Sequence, residues 1–508
     1  MATQSPRWPC RVRRTVQVLA FLAFLALLVG APALAAADRR ADWPMRLSAY
    51  DGIGASVAAW RVLTAFWPGL LLLAAALLVG RWFCGWVCPL GAALDAADAV
   101  IGRLKGRGPR AADRPDDADF EHVRGRRFKY YLLAAALTAA FAGLTWFALF
   151  DPLSIASRGF ILGVHAGVRR AAGAAPEPVV RLHAATCLLL LTVLGLGLIR
   201  RRFWCRYLCP LGAMHALAAR AAPARRSVSE ACTECGCCAA ACPMGCISPD
   251  GRRTLHDECV LCLQCQPVCP TDAIRFLRGA HEARPPEVDL TRRGALTAAL
   301  AGAVTYPLMR IRPEWAHAKG DPLIRPPLVG RDPEAFLGLC VRCGQCMRVC
   351  PTQVIQPAGL EAGVESLWTP RLRFRPGYCE YDCDLCGRAC PTGAIPAFTP
   401  ARKHATAAGL AAVDRTRCIP WRAYGRREEP GFTADGHNCG VCESVCPVPG
   451  KAIGFRRVRV GGEELLLPFV RAELCTGCGR CEAACPLPGP AAVRVTAGWR
   501  ELAAPGGG

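Results

Sequence analysis

Histidine, tyrosine and methionine are scarce in this 508-residue chain, with 9, 8 and 6 copies, and aromatic residues together make up 7%. Cys-x2-Cys-His is absent, which excludes covalent haem attachment. His165 and His183 are too few to argue a haem pair. There is no phosphate-cradling glycine loop, no nucleophile elbow and no molybdenum-domain signature, so no catalytic constellation is present. The aromatic-basic modules that read nucleic acid are missing too. Nucleic acid is therefore set aside as a partner, despite 62 Lys and Arg against 40 Asp and Glu.

What abounds is cysteine, 32 in all, and most of it falls into six repeats closing on Cys-Pro. The clearest is Cys259, Cys262, Cys265 and Cys269-Pro270. Its x2, x2, x3 spacing is the ligand run of bacterial ferredoxins with two cubane clusters, which predicts one-electron chemistry. Cysteines three apart on a tight loop wrap three corners of a cubane, and the fourth points to the other cluster of the pair. Beside it stand Cys232, Cys235, Cys238 and Cys242. Swapped fourth ligands predict one cluster on Cys232, Cys235, Cys238 and Cys269, and another on Cys259, Cys262, Cys265 and Cys242.

Four more repeats follow: Cys340, Cys343, Cys346, Cys350; Cys379, Cys383, Cys386, Cys390; Cys418, Cys439, Cys442, Cys446; and Cys475, Cys478, Cys481, Cys485. Two depart from the spacing, with three residues between Cys379 and Cys383, and a polar loop carrying Tyr424, Glu428 and His437 between Cys418 and Cys439. From residue 331 onward there are sixteen cysteines, enough for four cubanes, and adjacent and nested pairings both satisfy the count. Zinc does not suit three cysteines at successive x2 steps. Disulfides do not account for six copies with the same trailing proline. Cys237 and Cys246 fall outside the spacing and read as ordinary buried thiols.

Apolar runs over 16–37, 57–79, 130–150 and 182–199 are each near the ~20 residues of a bilayer-spanning helix. Basic flanks at Arg7, Arg11, Arg13 and Arg14, from Arg103 to Lys129, and at Arg200, Arg201 and Arg202 predict cytoplasmic ends, with the segments around Asp42 and Gly163 outside. Arg39, Arg40, Arg169 and Arg170 blur that signal, and Ala33-Leu34-Ala35 resembles a signal-peptide cleavage site. The Arg-rich run from Arg103 to Lys129 fits anionic-lipid contact. The membrane part is duplicated: Cys84-x3-Cys88-Pro89-Leu-Gly-Ala and Cys205-x3-Cys209-Pro210-Leu-Gly-Ala each follow an even-numbered run. These thiol pairs are candidate redox or metal groups, and pseudo-symmetry is able to bring them together.

Four apolar runs with two Cys-x3-Cys-Pro motifs and a following two-cluster segment resemble the NapH, NosR and CcoG group of membrane iron–sulfur proteins, over roughly residues 1 to 280. NapH fits best, because the short connections leave no room for a flavin-bearing domain like that of NosR. The resemblance implies electron transfer at the membrane, often from quinol, and copper reduction in CcoG-like members. Farther on, Thr291-Arg292-Arg293-Gly294-Ala295-Leu296, an apolar stretch to Met309 and Ala316-His317-Ala318 have the layout of a twin-arginine export signal. Ala295 and Thr297 depart from its usual residues. Leu323-Ile324-Arg325-Pro326-Pro327 and the last four repeats resemble NapG and MauM ferredoxin-type proteins, over about 290 to 490.

The expected fold is an α-helical transmembrane bundle plus α+β bacterial ferredoxin-like modules of two [4Fe-4S] clusters each. Its parts are a four-helix membrane domain (1–220), a two-cluster domain (221–284), a twin-arginine-like segment and linker (285–330) and a four-cluster domain (331–500). About six [4Fe-4S] clusters would lower the formal +22 to roughly +10. The expected function is a relay in the bacterial inner membrane, from quinol or a cytoplasmic donor to a periplasmic reductase or cytochrome, with His183 the candidate at a quinol site. The two-cluster domain is expected in the cytoplasm and the four-cluster domain in the periplasm. The alternative is a redox or metal assembly or sensing factor acting through Cys84, Cys88, Cys205 and Cys209.

Overall fold

In the computed structural model, residues 8–37, 41–104, 124–171, 180–278, 291–310, 323–329 and 332–502 are described, apart from Gly431, Ala434 and Gly461. The Ala316-His317-Ala318 motif lies outside them.

Helices Trp8–Ala36, Ala49–Ala58, Trp67–Val79, Pro89–Leu104, Arg124–Phe141, Val180–Gly195, Pro210–Ala219 and Arg292–Arg310 pack side by side. The first is the one helix among the described residues long and apolar enough to cross a membrane. Of the four expected spans it alone has that length, and two of the others contain shorter apolar helices, Thr64–Val79 and Ala184–Leu198. The second apolar run is broken at Trp60, which has φ 52°, and a new helix starts at Trp67 with Pro68 in its first turn. The third helix spends its first turns on Arg124, Arg126, Arg127 and Lys129 and stops at Phe141 before a 3-10 turn, Trp146–Leu149. The fourth has 16 residues before it tightens at Leu196–Leu198.

The first helix is two-faced in an unusual sense. Arg13, Gln17, Phe24, Leu28, Ala31 and Ala35 form its buried stripe, while Val12, Val18, Leu19, Leu22 and Val29 stand exposed opposite. Ala31 and Ala35 pack on Val349 and Ala389, so the Ala33-Leu34-Ala35 motif is part of a packed helix. The twin-arginine-like segment is likewise a built member of the helical group. Its Gly294 abuts Tyr131 and its Gly302 abuts Thr138, so it runs parallel to Arg124–Phe141. A Cβ at Gly302 would strike the Thr138 hydroxyl, which is why the contact takes a glycine.

Two cysteine-rich regions close on antiparallel strand pairs. Ala224–Val228 pairs with Ile274–Arg278, and Thr406–Val413 pairs with Val493–Glu501 across nearly a hundred residues of chain. They contact opposite ends of the helical group. The Cys10 thiol donates to the Leu263 carbonyl at 2.9 Å near the start of the first helix, and Arg348 Nε donates to the Leu28 carbonyl at 3.1 Å near its end. Those points lie roughly 27 Å apart at ~1.5 Å per residue. The Arg124–Phe141 helix repeats the arrangement, with Lys129 bound to Glu258 and Thr145, just past its end, donating to the Leu337 carbonyl.

Candidate cluster-binding sites

The cysteine loops owe their curvature to left-handed residues on either side of the second cysteine. Glu234 and Gly236 flank Cys235, Leu261 and Leu263 flank Cys262, Arg342 and Gly344 flank Cys343, and Gly477 and Gly479 flank Cys478, all with φ between 50° and 82°. All four loops thus turn three sulfurs inward through the same backbone shape, at a steric cost where the residue is Glu234, Leu261, Leu263 or Arg342 and at none where it is glycine. The Cys379 and Cys418 repeats, which depart in spacing, lack this pair of residues.

The sulfurs gather in fours. Cys232, Cys235, Cys238 and Cys269 line one open cavity of about 290 Å³, with Ile274 in its wall. Cys242 neighbours Cys262 and Cys265, and burial followed by the Cys242 charge pushes Cys262 up to about 11. Farther on, Cys340, Cys343, Cys346 and Cys390 line a cavity of about 370 Å³. Burial pushes Cys386 well up, followed by the nearby Cys379 and Cys350. Cys442, raised to about 12 by burial, feels Cys418 and Cys439, and Cys418 feels Cys485. Cys478, raised to about 11 chiefly by burial, feels Cys379 across the boundary between groups and then Cys475 and Cys446, while Cys481 feels Cys478, Cys475 and Cys442. The last sixteen thiols thus group by adjacent repeats, not nested ones.

These donor sets fit iron–sulfur clusters. Buried thiols with raised pKa need a cationic partner to ionise, and a coordinated metal supplies it. Among the described residues no three His, Cys, Asp or Glu side chains close around a single ion. Backbone N–H groups also point at the outlying cysteines: Ala273 to Cys269 Sγ at 3.3 Å, and Ile395 to Cys390, Ala452 to Cys446 and Ala492 to Cys485 at 3.4 Å. Arg226 Nη2 donates to Cys238 Sγ at 3.3 Å. Such donors favour the ionised sulfur.

The groups in the C-terminal region adjoin one another. The Cys379 N–H donates to the Cys478 carbonyl at 2.8 Å, joining the second and fourth thiol groups of this region. Cys343 borders the helices, its carbonyl accepting from Ser157 Oγ at 2.9 Å, and Gly344 touches Ile161.

Two readings of single cysteines change. Cys237 is exposed rather than buried. Cys246 is buried, but its sulfur stands 3.5 Å from Cys242 Sγ and contacts Cys259, so it belongs to that group's surroundings. A larger omission is a fully enclosed ion cluster beside Cys259. Arg81 Nη1 reaches Glu258 Oε2 at 2.7 Å, Lys129 Nζ reaches both carboxylate oxygens at 2.5 Å, and Tyr130 donates to Oε1 at 3.1 Å. Burial pushes the Glu258 carboxyl up, yet Lys129 and Arg81 outweigh it and hold it at about 2. The His183 side chain lies outside the described residues, and His165 packs against Phe160.

The Cys-x3-Cys-Pro pairs converge. Short helices Trp82–Trp86 and Trp204–Leu208 carry Cys84 and Cys205, and Pro89 and Pro210 open the helices that follow. Arg202 crosses from the second repeat to the first, donating to the Cys84 carbonyl at 3.2 Å and the Gly91 carbonyl at 3.3 Å. Arg81 crosses the other way, its Nη2 standing 2.8 Å from where a Cβ on Gly212 would lie.

A family profile described as a 4Fe-4S dicluster domain matches residues 339–394 and 437–487. Profiles described as 4Fe-4S binding domains match 60–108, 182–229, 229–245 and 255–275. The methylamine utilization ferredoxin-type protein MauM of Methylobacillus flagellatus is 35% identical over 37% of this chain and 72% of its own length. The chain belongs to the MauM/NapG ferredoxin-type family. MauM of Paracoccus denitrificans is 36% identical over 30% of this chain and 62% of its own length. The ferredoxin-type protein NapG of Haemophilus influenzae is 32% identical over 31% of this chain and 53% of its own length. The chain thus spans between half and two thirds of these last two relatives. No solved structure matches it. Ferredoxin-like domains for [4Fe-4S] clusters are therefore present, with the MauM/NapG likeness covering about a third of the chain.

Proposed function

We propose that this chain is a membrane-bound electron relay in which a NapH-like helical half is fused to a MauM/NapG-like half. Six [4Fe-4S] clusters are assigned to its thiols. The N-terminal ones take Cys232, Cys235, Cys238 and Cys269, and Cys259, Cys262, Cys265 and Cys242. The others take Cys340, Cys343, Cys346 and Cys390; Cys379, Cys383, Cys386 and Cys350; Cys418, Cys439, Cys442 and Cys485; and Cys475, Cys478, Cys481 and Cys446. Bound there, the clusters supply one-electron oxidation and reduction.

One observation carries the membrane reading: the first helix touches the two cysteine-rich regions at points roughly 27 Å apart, close to the ~30 Å of a bilayer's hydrocarbon core. The exposed apolar stripe Leu296, Leu300, Val304 and Leu308 on the Arg292–Arg310 helix supports it, since soluble proteins rarely leave such a row to water. So do Trp8 near one end and Trp43, Trp60 and Trp67 near the other, all exposed as in an aromatic belt. The relay then runs from the cytoplasmic two-cluster region to a periplasmic four-cluster region, taking electrons from quinol or a cytoplasmic donor and passing them to a reductase or cytochrome. The test is the full chain in sealed vesicles, with titanium(III) citrate added outside and ferricyanide trapped inside. The relay reading expects bleaching of the trapped ferricyanide; reduced clusters with no bleaching would refute it.

A further inference from the structure

The geometry points to a seventh iron–sulfur cluster, held among the helices by Cys84, Cys88, Cys205 and Cys209. Each repeat carries only one Cys-x3-Cys-Pro pair, half of what a cubane takes, and the fold brings the other half from the second repeat. The four sulfurs lie within electrostatic reach of one another. All four residues are at most 8% exposed. Thiols so enclosed are closed to a docking protein, which favours a resident group over disulfide exchange or metal delivery. The 4Fe-4S binding profile covers both pairs, at 60–108 and 182–229.

Charge argues the same way. A cubane with four thiolates carries about −2 when oxidised. Arg81 and Arg202, both fully buried, flank the quartet, each reaching into the opposite repeat. Arg202 is paired with Asp95 at 2.6 Å, but Arg81 keeps Nε and Nη2 without a hydrogen-bond partner among the described residues. Nη2 faces the turn where the Gly212 N–H donates to Cys209 Sγ at 3.2 Å. Buried guanidinium donors without an acceptor are costly, and cluster sulfur at this position would satisfy them.

Position gives the site its use. Gly85, beside Cys84, abuts the Val260 carbonyl, and Arg202 is near enough to feel both Cys205 and Cys262, so the quartet adjoins the Cys242, Cys259, Cys262 and Cys265 group. Tyr50, fully buried, lies near Cys209. The assignment deepens the relay reading, because it puts a one-electron carrier among helices that show no other among the described residues, while its test does not depend on that reading.

The test is iron and labile sulfide on the full chain purified without oxygen. The parent should hold about 28 irons, against about 24 for six cubanes. The double variant Cys84→Ser/Cys205→Ser should lose about four irons and four sulfides and keep the ferredoxin EPR signals. Cys187→Ser, outside both pairs, should lose none. A parent near 24, or one holding zinc in place of the extra iron, overturns the seventh cluster even if the double variant fails to fold. A parent near 28 that cannot bleach trapped ferricyanide would instead sink the relay and leave the site standing.

Discussion

Glu258→Gln is expected to loosen the two-cluster region from the helices without touching a thiol. Glu258, Arg81 and Lys129 are all fully enclosed, and the carboxylate is the one acceptor the Lys129 ammonium shares with Arg81 at 2.5 and 2.7 Å. Removing its charge leaves two buried cations facing each other. Breaking a buried pair from one side costs ~3–5 kcal/mol, and at ~1.4 kcal/mol per decade the local opening equilibrium should rise by roughly two to three and a half orders of magnitude. Hydrogen exchange on the purified holo-chain reads this directly, with amides from 256 to 266 losing protection while those of 453–470 keep theirs. The added change Lys129→Met should restore part of the protection, because one stranded cation goes with it. Unchanged exchange in Glu258→Gln would show that this ion cluster does not fasten the two parts.

Other outcomes follow from the thiol groups. Cys238→Ala should lower bound iron by about four atoms and Cys237→Ala by none, measured by iron analysis. Cys350→Ser and Cys379→Ser should delete the same EPR signal, since both thiols face Cys386; loss of different signals would restore the nested pairing. Gly477→Ala should destabilise the C-terminal region by at least ~1 kcal/mol, because φ is +71° and the new methyl would meet the Gly409 backbone, and a thermal melt of the holo-protein reads it.

The ferredoxin loops were legible in sequence because their chemistry is local: three sulfurs within seven residues set both the spacing and the turn. The adjacent pairing was not legible, since it depends on strands Thr406–Val413 and Val493–Glu501 meeting across the last two repeats. Helix lengths were misjudged for a related reason. A hydropathy run cannot show that Trp60 takes a left-handed turn or that basic residues fill the first turns of Arg124–Phe141. The Glu258 cluster joins positions 129 and 177 residues apart, and nothing near Arg81 or Lys129 announces the partner. Cys246, four residues after Cys242, is buried as its place outside the spacing suggested, but its approach to Cys242 depends on the fold between the two repeats.

The central claim is that the chain carries thiol groups on both sides of a membrane, and sidedness tests it most directly. With a tag at the C-terminus, protease added to intact spheroplasts should remove the tag and cut the four-cluster region, with lysed spheroplasts as the control. Protection until lysis would put every cluster in the cytoplasm and contradict the account.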